Sequence, residues 1–195
     1  MREELRAFFN EKASVWDSLQ KVSPQRIRNL LEPLPIAKGG SILDVGSGTG
    51  VLIPFLRELF SPSLIVELDI AEEMLKIAKE KFDDDGIIYV WGDAESFVFD
   101  KTFDAIICYS SFPHFSDKER VVVHLSNFLK KGGVFAILHS SGREAIHRIH
   151  ASNEVTREDL LPPASEVALI FKEAGLEIIR SVDDDDEYAL VGVKG

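Results

Sequence analysis

The sequence predicts an α/β fold: a mostly parallel β-sheet with helices on both faces. From Ser41 onward, short apolar runs alternate with stretches of helical periodicity, which is typical of βα units. A glycine-rich turn ends the first apolar run and opens a helix. Two further runs flank a short acidic turn near the end of the chain and are predicted to pair as an antiparallel hairpin.

The chain divides into a helical cap and a sheet-bearing domain. Residues 1–38 are predicted to form the cap, and residues 39–195 a single globular unit. Apolar side chains at helical spacing indicate one helix within 5–19. A second helix is expected after Ser23 as the N-cap, with Pro24 at its first position.

The remaining elements follow from the periodicity. Strands are predicted at residues 41–45, 64–68, 87–91, 103–109, 133–138, 176–182 and 188–193. Helices are predicted near residues 50–60, 71–82, 117–130, 143–151 and 164–174. The helix at 117–130 is expected to begin with a capping box of Ser116 and Glu119 and to stop before Gly132.

Composition and charge narrow the function classes. The 195 residues include 22 Lys and Arg against 33 Asp and Glu, a net charge of −11, which disfavours broad contact with a nucleic-acid backbone. The sequence has no apolar stretch near the roughly 18 residues of a membrane span. Its acidic start is unlike a signal peptide, and its single cysteine favours the reducing cytoplasm. Small-molecule chemistry is the expectation that remains.

The glycine-rich loop predicts a ligand site with a preference for positive charge. Gly46, Gly48 and Gly50 follow Asp44 at the end of the first strand. Such a loop lets a ligand approach the main chain closely, although a tight turn alone would also use it. A dinucleotide fingerprint would need glycine at position 51, where the chain has Val51. Asp44 would repel a pyrophosphate but could pair with an ammonium group.

Two more acids end the next two strands. Asp69 follows Gly50 by 19 residues and could accept both hydroxyls of a ribose. Alternatively, Asp69 and Glu72 could form a capping box at the start of the next helix. Asp93 could accept a hydrogen bond from an adenine amino group, or it could be an ordinary turn aspartate.

Five successive segments carry a family resemblance: ILDVGSGTG, IVELDIAEEML, GDAESF, FDAIICYSSFPHF and FLKKGGVFAIL. Over roughly residues 41–138 the chain resembles the class I S-adenosylmethionine-dependent methyltransferases of small-molecule type. The resemblance implies a Rossmann-like seven-stranded sheet whose last strand is antiparallel, with S-adenosylmethionine as cofactor. It has one departure, Glu67, where family members often have glycine.

The resemblance also assigns roles by position. Asp44 and the loop from Gly46 to Gly50 would hold the methionine moiety, Asp69 the ribose, and Ile70 the adenine face. The full set of expected cofactor contacts is Asp44, Gly46, Ser47, Gly48, Gly50, Asp69, Ile70, Asp93, Ala94 and Ser110. Residues 8–17 are similar to a leader that folds over the cofactor in many members. The alternative for that segment is an amphipathic helix that buries its aromatic side chains in the core.

The acceptor side is expected at the ends of the fourth and fifth strands, where ligands bind in open α/β sheets. Tyr109, His114 and His139 are the candidate catalytic residues there. His147 and His150 would share one helix face nearby. Four histidines could admit a metal, but no fixed ligand spacing supports one and none is predicted. His124 and Cys108 are read as structural, and the run Asp183 to Asp186 as a turn.

The predicted function is methyl transfer by in-line displacement from S-adenosylmethionine to a small-molecule acceptor in the cytoplasm. Three alternatives stay open: a nicotinamide-dependent oxidoreductase, a non-catalytic cofactor-binding or scaffold domain, and a protein or RNA methyltransferase. The RNA alternative depends on a cluster of Arg143, Arg148 and Arg157. The sequence indicates neither the acceptor nor the oligomeric state.

Overall fold

Seven strands form one sheet. The structure, a computed structural model, describes residues 3–20 and 22–195; Met1, Arg2 and Lys21 of the predicted cap lie outside the described residues. The strands are β1 Ser41–Val45, β2 Leu64–Asp69, β3 Ile87–Trp91, β4 Phe103–Tyr109, β5 Leu129–His139, β6 Leu176–Asp183 and β7 Tyr188–Lys194. Their spatial order is β3-β2-β1-β4-β5-β7-β6. Only β7 pairs antiparallel with its neighbours, which confirms the predicted sheet and its closing hairpin.

Helices cover both faces of the sheet and precede it. They are α1 Glu3–Lys12, α2 Trp16–Leu19, α3 Pro24–Leu31, α4 Ile53–Phe60, α5 Glu72–Lys81, α6 Lys118–Ser126, α7 Arg143–Ala151 and α8 Ala164–Glu173. Short 3-10 turns lie at Ala13–Val15 and Phe112–His114. In the described part of the chain, no helix combines the length and the apolar character needed to cross a bilayer.

Side chains that alternate along the strands divide the core into two layers. Leu43 and Val66 face a buried cluster that includes Leu125 of α6 and Phe171 of α8. Ile42 and Ile65, one position earlier in each strand, belong to the cluster that includes residues of α3 and α4. Because both faces are covered at the centre of the sheet, β1, β2 and β4 are mostly apolar and buried, and several of their polar side chains lie near the strand ends.

The start of α6 differs from the prediction. Its N-cap is Asp117, whose carboxylate accepts a hydrogen bond from the backbone NH of Arg120 at 2.9 Å. The hydroxyl of Ser116 instead donates to the carboxylate of Glu95 at 2.7 Å. The predicted capping box of Ser116 and Glu119 is therefore wrong, since a distant carboxylate engages Ser116.

The end of α6 is also earlier than predicted. The helix ends at Ser126, and the Lys194 ammonium donates to the carbonyls of Ser126 and Leu129 at 2.7 and 2.8 Å. Leu129 already pairs with Phe103, and the register then shifts before Ala105 pairs with Val134. Gly132, at φ +74°, lies in this irregular part of β5 and does not terminate a helix.

Candidate active site

A cavity of about 850 Å³ opens at the edge of the sheet where the parallel strands end. This size is ordinary for a small-molecule site. Every predicted site residue except Gly50 borders it, namely Asp44, Gly46, Ser47, Gly48, Asp69, Ile70, Asp93, Ala94, Tyr109, Ser110, His114 and His139. The structure thus brings the predicted cofactor and acceptor residues to one cavity.

The glycine loop lies close to both neighbouring strands. The backbone NH of Gly46 donates to the carbonyl of Leu68 at 2.8 Å, and the Ser111 hydroxyl donates to the carbonyl of Val45 at 2.6 Å. Gly46 has φ +68°, and a Cβ there would lie 2.4 Å from the Cβ of Ser111. Only glycine fits this position.

Gly46→Ala is therefore expected to destabilise the protein more than Gly39→Ala. Gly39 has φ +80° but open space around it, so alanine there should cost only the left-handed backbone, about 1–2 kcal/mol. At Gly46 the overlap with Ser111 should add about 1–3 kcal/mol to the loss in unfolding free energy. Urea denaturation of both variants measures the difference, and equal losses would contradict this account of the loop.

Gly50 has a packing role in the structure. It does not border the cavity, and its φ is +77°. A Cβ there would lie 2.8 Å from Cδ1 of Ile53 and 3.3 Å from Cβ of Ala78. The missing side chain lets α5 approach the start of α4 closely.

Asp69 fastens the glycine loop to the end of β2. Its Oδ2 accepts a hydrogen bond from the backbone NH of Gly48 and its Oδ1 from that of Ala71, both at 2.8 Å. The alternative capping box is wrong, because α5 begins at Glu72 without a side-chain cap and Glu72 bonds to the N-terminal helix. Burial raises the pKa of Asp69 to about 6, although the backbone NH groups oppose that shift.

Two buried acids face each other beneath the loop. Asp44 of β1 is in register with Glu67 of β2, and both are almost completely buried. Among the described residues, no hydrogen-bond partner reaches Asp44 Oδ2, either carboxyl oxygen of Glu67, or the hydroxyl of Ser47. Burial, with the charge of Asp69, raises the pKa of Asp44 to about 8. Burial and the charge of Asp44 raise the pKa of Glu67 well above its usual value. Burial therefore favours the neutral form of Glu67 in the folded protein.

A second group of predicted contacts borders the cavity beyond Asp69. Oδ1 of Asp93 accepts a hydrogen bond from the backbone NH of Glu95 at 3.0 Å, so Asp93 forms the turn and also faces the cavity. The indole NH of Trp91 donates to the carbonyl of Ile70 at 2.9 Å. These contacts fix the backbone around the predicted adenine position.

The N-terminal helix covers the cavity. The carboxylate of Glu72 accepts hydrogen bonds from Arg6 Nε and Asn10 Nδ2, both at 2.9 Å, and the Arg6 contact lowers the pKa of Glu72 to about 2. This clamp holds α1 against α5. As a result Phe9 and Trp16 both border the cavity and pack on the small apolar cluster of Ala13, Ala71 and Met74.

Helix α2 is also bonded to the glycine loop, through Asp17. Asp17 accepts hydrogen bonds from the Thr49 hydroxyl at 2.5 Å and from the Lys81 ammonium at 2.8 Å. Thr49 and Asp17 both border the cavity; they lie within the predicted loop and leader, but neither was predicted as an individual contact. Thr49 stands inside the glycine motif, which was a usable signal; for Asp17 the sequence offered only its place in the leader.

The far end of the cavity carries uncharged polar groups. The Tyr109 hydroxyl donates to Oγ of Ser140 at 3.1 Å. His139 is 3 % exposed, and no partner among the described residues reaches its Nε2. Burial, together with the charges of His114 and His150, lowers the pKa of His139 to about 3, so its ring is neutral near pH 7. Ser110 adopts φ +54°, a strained conformation at the strand end.

Three of the four histidines come together there. The rings of His114 and His150 lie 4.8 Å apart, and Nδ1 of His114 is 2.8 Å from Oδ2 of Asp159. His147 is directed elsewhere and accepts a hydrogen bond from the backbone NH of Leu161 at 3.1 Å. Within residues 3–20 and 22–195, no group of three or more His, Cys, Asp or Glu side chains is arranged to hold a metal ion.

The residues read as structural have structural contacts. Nε2 of His124 is 2.8 Å from the carbonyl of Phe97, and Cys108 is fully buried in β4. In the acidic turn, the Asp184 carboxylate accepts backbone NH bonds from Asp186 and Glu187, both at 2.9 Å. These contacts account for the acidic run as a turn.

The sequence is similar to known methyltransferases. Residues 43–137 match the family model of a methyltransferase domain. A malonyl-[acyl-carrier protein] O-methyltransferase of Acetivibrio thermocellus is 29% identical, over 80% of this chain and 56% of that protein. A ubiquinone/menaquinone biosynthesis C-methyltransferase of Idiomarina loihiensis is 36% identical, over 54% of this chain and 45% of that protein. The chain thus spans about half the length of these relatives.

The fold is also similar to that of known methyltransferases. The crystal structure of an S-adenosylmethionine-dependent methyltransferase from Aquifex aeolicus superposes with a TM-score of 0.73 at 21% identity, covering 94% of this chain and 98% of that one. The matched segment contains the glycine loop, Asp69, Asp93 and His114. Residues 43–137 therefore form a methyltransferase domain, and the chain is similar in sequence and in fold to S-adenosylmethionine-dependent methyltransferases, which supports S-adenosylmethionine as its cofactor.

Proposed function

We propose that this protein transfers a methyl group from S-adenosylmethionine to a small-molecule acceptor. The observation that carries the proposal is the set of buried polar atoms without partners at the glycine loop. Asp44 Oδ2 and the Ser47 hydroxyl belong to residues that border the cavity, where an ammonium group could satisfy both. One relative is named as an O-methyltransferase of malonyl-[acyl-carrier protein] and another as a C-methyltransferase of ubiquinone/menaquinone biosynthesis, so neither name points to a nucleic-acid acceptor.

The residues present fit the cofactor. Asp44 and Ser47 would hold the charged methionine end, and Ile70, Asp93 and Ala94 would surround the adenine. Each carboxylate oxygen of Asp69 already accepts one backbone NH but has a second lone-pair site, so both remain able to accept ribose hydroxyls. Phe9 and Trp16 of the N-terminal cap, residues 1–38, would close over the donor.

The chemistry that the donor supplies is a methyl group on a positively charged sulphur. The contribution of this chain is alignment of donor and acceptor, a source of about 7–11 kcal/mol in well-ordered sites. The N-terminal cover excludes water from the donor side. Tyr109, His114 and His139 would bind and orient the acceptor at the far end, and the single buried Cys108 is in keeping with a cytoplasmic enzyme.

A labelled-methyl assay tests the function. The protein is incubated with S-adenosylmethionine carrying an isotopic methyl group and with pooled small metabolites, and Asp44→Ala serves as the binding-deficient control. We expect label in at least one pool with the natural sequence and at least a tenfold smaller signal with the variant. Binding of S-adenosylhomocysteine without label in any pool would favour a non-catalytic domain. Equal signals from the two proteins would contradict the site.

A further inference from the structure

A buried carboxylate lies behind His114. Asp159, in the segment between α7 and α8, has a side chain that is 5 % exposed and does not border the cavity, whereas His114 does. Its Oδ2 is 2.8 Å from Nδ1 of His114. Any effect of Asp159 on the reaction must therefore act through the imidazole ring.

Asp159 is itself held in place. Its backbone NH donates to the carbonyl of Thr156 at 2.8 Å, and its carbonyl is 2.6 Å from Nδ1 of His150. The His114 ring also packs edge-on against Phe9 of α1, with ring centroids 5.2 Å apart. Helix α1 and the segment between α7 and α8 thus both fix the orientation of His114.

Apolar side chains form part of the cavity wall near this pair. Burial lowers the pKa of both His139 and His150, which favours the neutral form of each ring. Phe115, Ile146 and Ile149 border the same region, and Ile149 is 66% exposed. Such walls suit an acceptor with an apolar body.

We propose that Asp159 is a positioning residue that orients His114 as the base for an apolar acceptor, and that the methylated atom is a phenolic or enolic hydroxyl oxygen. The inference rests on the proposed function. In the step, the acceptor oxygen forms the new O–C bond as the S–C bond of the donor breaks, with its electron pair kept by sulphur. The hydroxyl proton passes to His114, and the carboxylate of Asp159 stabilises the resulting cation.

The test uses four probes that share one apolar scaffold: 2-naphthol, 2-naphthoic acid, 2-naphthylamine and 2-naphthalenethiol. With the full chain and labelled donor, 2-naphthol is expected to react at least tenfold faster than the other three. Asp159→Asn should lower kcat for 2-naphthol about 10–100-fold, an effect of the size expected when general-base catalysis is impaired. The KM for 2-naphthol and the Kd of S-adenosylhomocysteine should each change less than threefold. Asp100→Asn makes the same chemical change at an exposed site and should leave all three quantities unchanged.

A second acceptor separates positioning from a structural role. A nitronaphthol is more acidic and depends less on a base, so its loss with Asp159→Asn should be several-fold smaller than that of 2-naphthol. If Asp159→Asn fails to fold, His114→Gln provides the same comparison between the two acceptors.

The contrary outcomes are distinct. Equal losses for both naphthols, faster methylation of the acid, amine or thiol, or no naphthol transfer by a protein that binds S-adenosylhomocysteine would each overturn this inference. Failure to bind S-adenosylhomocysteine at all would instead overturn the proposed function.

Discussion

Asp69→Ala is expected to weaken the binding of S-adenosylhomocysteine at least about 100-fold. The substitution removes the two 2.8 Å hydrogen bonds that hold Gly48 and Ala71, and with them the proposed ribose contact. Hydrogen bonds to a charged group contribute about 1.5–3 kcal/mol each, and 1.4 kcal/mol corresponds to a factor of ten in affinity. Titration calorimetry at pH 7.5, where a carboxyl with a pKa of about 6 is ionised, measures the change.

Asp104→Ala is the matched control. The Asp104 carboxylate also accepts several hydrogen bonds, from the backbone NH and hydroxyl of Ser41 and from Lys130, at 2.7 to 2.9 Å. It lies at the opposite end of the strands and does not border the cavity. The control should lose stability but keep its affinity. If both variants lose affinity equally, or if Asp69→Ala binds within threefold of the natural protein, the role given to Asp69 is wrong.

The second large effect is an increase in stability: Glu67→Gln should stabilise the ligand-free protein at neutral and alkaline pH. Glu67 is buried without a partner and opposes Asp44, so its pKa is raised in the folded state. Below the ordinary pKa of a glutamate, both the folded and unfolded states are protonated and the variant gains little. As the pH rises above that ordinary pKa, Glu67 ionises only in the unfolded state. The unfolding free energy of the natural protein therefore falls by up to about 1.4 kcal/mol per pH unit relative to that of the variant.

Thermal or urea unfolding between pH 4 and pH 8.5 checks this prediction. The difference in unfolding free energy between Glu67→Gln and the natural protein should grow with pH. Glu80→Gln changes an exposed residue in the same way and should show a difference that does not vary with pH. A constant or negative difference for Glu67→Gln would mean that Glu67 is ionised and has a partner in the folded protein.

The sequence predicts the centre of the sheet well because its central strands are runs of mostly apolar residues. The runs at 41–45, 87–91 and 103–109 have the same bounds in the structure. The prediction fails after α6, where Lys130 and Gly132 imitate the end of a helix. The pairing of Leu129 with Phe103 and the contacts of Lys194 decide that region, and they join residues that are distant in the chain.

Site residues that follow from a local sequence pattern were predicted, whereas those that depend on contacts between distant parts of the chain were not. Asp44, Asp69 and His139 follow strand ends, and parallel strands carry such residues to one edge of the sheet. Asp159 reaches His114 from 45 positions away, through an irregular segment with no periodic pattern. The packing of Gly50 against Ile53 and Ala78 was not predicted either, because its spacing in the motif does not reveal which side chains lie beside it.

A crystal structure of the protein with S-adenosylhomocysteine tests the central claim most directly, since that claim is that the cavity at the strand ends binds the adenosyl donor. The account predicts ribose hydroxyls at the Asp69 carboxylate, the adenine between Ile70 and Ala94, and the amino group at Asp44. Density for the ligand outside this cavity, or the same cavity occupied by NADH in preference to S-adenosylhomocysteine, would contradict it.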